Sequence, residues 1–142
     1  MTIHLLKVAV GAETVEDLIE RQKAWHVTNG AGETIFRVRT RQTPRRQDEL
    51  LAGGSLYWII KGFVRARQRI LAFEPTVIDG RDHMLIHLEE PITKTQLHPR
   101  GPHQGWRYLK PEASPADLEE SDAVYESMPP KLLNSLKELA LL

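Results

Sequence analysis

Arg65, Arg67 and Arg69 recur with period two along a run rich in strand-forming residues. In a strand that spacing would stand all three guanidinium groups on one face, where planar forks of N–H donors suit phosphate oxygens. Arg45 and Arg46 precede them in a loop, Lys61 closes the apolar run between, and Tyr57, Trp58 and Trp106 supply aromatic faces. Basic groups interleaved with aromatics make the usual surface for single-stranded nucleic acid. The plainer reading is a solvated edge strand whose charges resist edge-to-edge pairing. Neighbouring Tyr57 and Trp58 must point to opposite faces, so one belongs to the core and the other is free to be exposed. Trp106, set in a Gly-, Pro- and Gln-rich stretch with Arg107 beside it, is the aromatic expected at the surface.

Catalytic chemistry has weaker support. Lys61, Glu74 and Thr76 would supply a nucleophile, a proton-transfer group and an orienting hydroxyl if their strands met, and nothing in the spacing makes them meet. No glycine-rich phosphate loop and no Gly-x-Ser-x-Gly elbow is present. His83, His87, His98 and His103 invite a metal reading, but their spacing matches no metal motif. Strand positions four apart also stand too far from each other to share one ion. Surface histidines, no metal and no cofactor are expected. The absence of cysteine excludes disulfides, thiolate metal sites and cysteine nucleophiles.

At 142 residues one hydrophobic core is expected, and residues 1–142 read as a single domain. An apolar fraction of 41% and a charged fraction of 27% are those of a chain that folds. Nineteen basic and nineteen acidic side chains cancel, so any attraction to an anion must be local. It is polarised along the chain: residues 37–69 carry nine basic groups against two acidic, and residues 111–142 carry seven acidic against two basic. The N-terminus lacks the pattern of a signal peptide and no stretch is long and apolar enough to span a bilayer, so a cytoplasmic, non-membrane protein is expected.

These residues need elements to position them. Ile3 to Val10 reads as a strand ended by Gly11, and Thr14 to His26 as an amphipathic helix opened by Thr14 with Asp17 three residues on. Thr34 to Thr40 alternates as a strand; Arg46 to Leu51 reads as one or two helical turns stopped by Gly53-Gly54. Ser55 to Ile60 is a continuous apolar run, hence a buried strand, with a turn or bulge at Gly62. Asp79-Gly80 is a favoured hairpin dipeptide with Met84 to Leu88 as the return strand. Pro91, Pro99, Pro102, Pro111 and Pro115 argue against long regular structure after it, save a short closing strand at Trp106–Leu109. After Ser114-Pro115 the acidic segment is read as opening a short helix. Pro130 to Leu141 closes the chain as a helix with a leucine stripe, packed on the sheet or against a second copy.

Gly53-Gly54-Ser55-Leu56-Tyr57-Trp58-Ile59-Ile60-Lys61-Gly62 and Gln104-Gly105-Trp106-Arg107-Tyr108-Leu109-Lys110-Pro111 resemble a known family. It is the bacterial domain-of-unknown-function family numbered fourteen eighty-nine, found mainly in alphaproteobacteria. Thr2 to Lys7 and Ala66 to Ile70 fit it too. That likeness carries no activity with it. More distantly, the order of elements from the aromatic strand through Asp79-Gly80 to Gly105-Trp106-Arg107 is similar to PUA-like folds, including the ASCH and EVE branches. This second resemblance implies an α+β fold with a mostly antiparallel, PUA-like β-barrel and peripheral helices, binding RNA, single-stranded nucleic acid or a modified nucleobase. The Gly-x-Lys-x-x-Glu-x-Arg signature of ASCH proteins is absent, so a small amidohydrolase acting on modified nucleosides is the alternative. A protein-interaction or homodimerising module is the third reading.

The interface expected from these readings comprises Arg45, Arg46, Trp58, Lys61, Arg65, Arg67, Arg69, Trp106 and Arg107, with RNA or single-stranded DNA as partner. The monomer and the homodimer are both left open. The acidic C-terminal segment could also fold over the arginine face and neutralise it.

Overall fold

A computed structural model describes residues 2–101, 103 and 105–117 of the chain. Its centre is a hairpin of β4 (Ser55–Ile60) and β5 (Phe63–Ile78). Every residue of β4 is buried, which is why its sequence is continuously apolar instead of alternating. Leu56, Trp58 and Ile60 face the main core, whereas Tyr57 and Ile59 join a second cluster with Leu6, Val64 and Leu109. The expectation that one of Tyr57 and Trp58 would be exposed is therefore corrected. Both faces of this strand are covered.

β1 (His4–Val8) runs parallel to β4, and β8 (Trp106–Leu109) pairs antiparallel with β1 at the sheet edge. On the other side of the hairpin, β5 pairs with two strands in succession. Its first part lies against β7 (Thr93–Pro99) and its second against β6 (Arg81–Glu89). β6 then pairs with β3 (Thr34–Thr40), which pairs with the two-residue β2 (Val27–Thr28). Among the described residues, one parallel pair among antiparallel ones, with two α-helices, makes an α+β architecture. Strand pairing among the described residues does not close this sheet into the expected barrel.

Two bulges bend β5. Trp58 pairs with Ala66 and Ile59 with Val64, so Arg65 has no partner in β4, and the pairing with β7 shifts at the same point. A second shift falls between Ile70 and Ala72. Each extra residue adds a kink and twist, which lets one strand serve two halves of a bent sheet. Both hairpin turns are of the kind that suits that twist: Lys61 and Gly62 have φ of 51° and 81°, and Asp79 and Gly80 have 52° and 75°. Asp79-Gly80 forms a two-residue loop, with Ile78 opposite Arg81.

The helix α1 (Val15–Lys23) starts where the Thr14 side chain accepts from the Asp17 amide at 3.1 Å and Asp17 accepts from the Glu13 amide at 3.0 Å. It stops three residues short of the expected end. Val15, Leu18 and Gln22 are its buried face. Gln22 pairs with Gln68 by reciprocal amide hydrogen bonds of 2.8 Å, so the polar group it brings into the core is satisfied. The short α2 (Gln47–Leu51) buries Leu50 in the same core cluster as Val15 and Leu18.

The proline-rich region differs from expectation. It contains the strand β7, because Pro91 stands before it and Pro99 is its last residue, so neither interrupts its interior. A single 3₁₀ turn, Pro111–Ala113, follows β8. The expected helices after Pro115 and from Pro130 to Leu141 lie outside the described residues, as do Glu119, Glu120 and Asp122 of the acidic segment expected to be able to cover the arginine face. Among the described residues no helix is long and apolar enough to cross a membrane.

Candidate functional site

The bulge removes the single arginine face. Arg65, the extra residue, turns inward and is 5% exposed. Its Nε donates to the Ile60 carbonyl at 2.8 Å and its guanidinium lies 5.7 Å from the centre of the Phe63 ring. Arg67 remains on the outer face but is clamped by Asp117, with Nε and Nη2 at 2.7 and 2.8 Å from the two carboxylate oxygens. That fork-to-fork pair raises the Arg67 pKa and lowers that of Asp117. Asp117 belongs to the acidic C-terminal segment, and among the described residues it pairs with Arg67 alone of the three period-two arginines. Arg69 is exposed.

The remaining expected residues scatter. Arg46 donates to Glu49 and stacks 5.5 Å from the Tyr108 ring centre. The amides of Arg45 and Arg46 donate to Tyr108 Oη at 2.9 and 3.1 Å, leaving the Arg45 side chain in solvent. Trp58 is 4% exposed and its indole N–H is spent on Gln68, so it offers no face to a base. Lys61 sits in the hairpin turn, 3.5 Å from Glu13. Glu74 and Thr76 lie far along β5, about 40 Å of strand away. Glu74 instead contacts His87 at 2.8 Å and Arg37 at 3.8 Å, so Lys61, Glu74 and Thr76 are not brought together. Nor do the histidines converge: among the described residues no three His, Asp or Glu side chains are grouped as metal ligands.

What the fold does assemble lies at the unpaired seam between β8 and the end of β3. Side chains bridge it where strands do not: Trp106 Nε1 donates to the Gln42 carbonyl at 2.9 Å, and Tyr108 Oη takes the two amides above. Trp106 and Tyr108 meet edge to face at 4.8 Å. On one side of Trp106 is an open cleft of about 620 Å³ lined by Lys7, Arg39, Arg41 and His83, with Thr40 and Gln42. On its other side is a second cleft of about 630 Å³ lined by Arg100, His103, Arg107 and Tyr108. No carboxylate stands among the described residues lining either cleft, and Lys7, Arg39, Arg41, Arg100 and Arg107 are in no ion pair among the described residues.

Local rules explain how these cations arrive. Arg39 and Arg41 alternate along β3 and its continuation, so both project from the outer face while Val38 and Thr40 are buried. Lys7 is opposite Trp106 in the β1–β8 register. Its inward neighbours Leu5 and Ala9 belong to the core, and burial lowers the pKa of its ammonium. A half-buried ammonium with no carboxylate partner among the described residues gains from an anionic ligand. The alternation of Arg37, Arg39 and Arg41 was visible in the sequence, but the meeting of β3 with β1 and β8 depends on non-local pairing. Of the expected interface, Trp106 and Arg107 line these clefts, and Arg45 and Arg46 reach the seam through their backbone amides on Tyr108.

A family model described as protein of unknown function (DUF1489) matches residues 5–142. No curated protein and no solved structure matches the chain.

Proposed function

We propose, for a chain that belongs to the DUF1489 family of proteins of unknown function, that it binds single-stranded nucleic acid, RNA foremost, along the seam on either side of Trp106. The observation that carries this reading is the pair of clefts sharing one tryptophan, with cationic linings and no carboxylate among the described residues. A strand laid there would place phosphates against Arg39 and Arg41 on one side and Arg100 and Arg107 on the other, with a base on Trp106. The distant sequence resemblance to PUA-like domains, which bind RNA or modified nucleobases, would imply the same class of ligand. Arg65 and Arg67 are left out of the interface, because one is buried at a bulge and the other is clamped by Asp117.

The test is a titration of fluorescently labelled single-stranded RNA and DNA at low salt. Binding is expected to weaken as salt rises, because neutralised phosphates release counterions. Absence of binding by the folded protein to both oligonucleotides would overturn the reading.

A further inference from the structure

We propose that the groove between α1, β1 and β3 is a second stacking platform for the same strand, with Trp25 as its aromatic face. This rests on the seam reading above. Trp25 is 73% exposed and Val10 81%, the two most exposed large apolar side chains among the described residues. They flank a groove of about 270 Å³ whose floor includes Phe36 and Trp58.

Continuity and charge argue for a nucleobase as occupant. Lys7 lines both this groove and the cleft of Arg39 and Arg41, so the two hollows share a wall and an ammonium. A strand leaving the cleft can keep a phosphate on Lys7 and lay its next base on Trp25. The other charge in the groove is also a cation, Arg21, held by hydrogen bonds of 2.8 Å each to the Val10 and Gly11 carbonyls. An apolar slot with a cationic rim suits a flat base joined to an anionic backbone. A hydrophobic helix from a partner protein would gain nothing from Lys7.

The experiment is a length series of labelled oligouridylates bound to the full chain and to Trp25→Ala, Trp25→Phe and Trp106→Ala. Trp25 is solvent-exposed, so its replacement is expected to leave the circular dichroism spectrum unchanged. Trp25→Ala should lower affinity about 5-fold or more for oligomers long enough to reach from the cleft to the groove, spare the shortest ones that bind, and be rescued by Trp25→Phe. Trp106→Ala should weaken every length. If Trp25→Ala leaves long oligomers unaffected while Trp106→Ala weakens them, the groove inference falls and the seam reading stands. A change in oligomeric state or melting temperature with unchanged affinity would assign the groove to a protein contact and also overturn it. If no oligomer binds the unaltered chain, both readings fall.

Discussion

Trp106 is tethered by its indole N–H to Gln42 and edge-on to Tyr108, yet it lines the clefts on both sides. A ring held in place costs little ordering entropy when a base stacks on it. Trp106→Ala should therefore weaken single-strand binding by about 1–3 kcal/mol while leaving the salt dependence as it was, since no charge is removed. Trp106→Phe keeps a π face but loses the tether and should fall between the two; fluorescence anisotropy at several salt concentrations measures both quantities.

His4 and His98 contribute to the response of the fold to mild acid. His4 Nδ1 accepts from the Ser55 amide at 3.0 Å, and its ring meets Tyr57 edge-on at 5.1 Å. Burial, and then the Arg67 charge, lower its pKa from 6.5; burial and then Arg100 do the same to His98. With a folded pKa below the unfolded one, the unfolded chain binds protons first. The stability these rings contribute is present above pH 6.5 and is lost as pH falls through the lowered values. Urea midpoints should thus drop on acidification from neutral pH, and His4→Gln, which can still accept from Ser55, should flatten that drop.

Among the elements, those governed by neighbours in sequence were legible and those governed by distant partners were not. β3 occupies the expected Thr34–Thr40, and the hairpin at Asp79-Gly80 forms where its dipeptide dictates, because backbone preference and alternation act locally. The strand β7 was missed because its formation depends on pairing with β5 across the chain. Arg65 was misplaced for a related reason: a bulge without glycine leaves no compositional mark, yet one extra residue moves the arginine off the alternating face.

Gly54 shows the same division. The Gly53-Gly54 pair was readable as a helix stop, but the close approach at Gly54 was not. A Cβ there would lie 2.3 Å from the Ile3 carbonyl oxygen and 2.4 Å from that of Leu50, both backbone atoms that hold strand and helix ends. Gly54→Ala should accordingly cost on the order of 3 kcal/mol through overpacking. Gly53→Ala meets open space but has φ of 92°, so it should cost about 1–2 kcal/mol from backbone strain alone. Thermal denaturation of the two variants separates the mechanisms.

At the scale of the whole molecule, equal numbers of acidic and basic side chains hide a division of labour among the arginines. The basic stretch of residues 37–69 is contiguous in sequence, but the fold splits it. Arg67 is matched to Asp117 and Arg46 to Glu49, whereas Arg39 and Arg41 join Lys7, Arg100 and Arg107 from other parts of the chain at the seam. Two double substitutions, one at the seam and one outside it, therefore have different expected outcomes. Arg39→Ala with Arg41→Ala should weaken binding to all single-stranded sequences and flatten the salt dependence by about 0.7 in log–log slope for each phosphate left without its arginine. Arg67→Ala with Asp117→Ala removes an ion pair outside the seam and should leave affinity and slope unchanged, at a stability cost of about 1 kcal/mol or less because the pair is partly solvated. Isothermal titration at two or more salt concentrations, with a melting curve for each variant, checks both. Equal losses of affinity from the two substitutions would mean that the basic face as a whole, and not the seam, attracts the ligand.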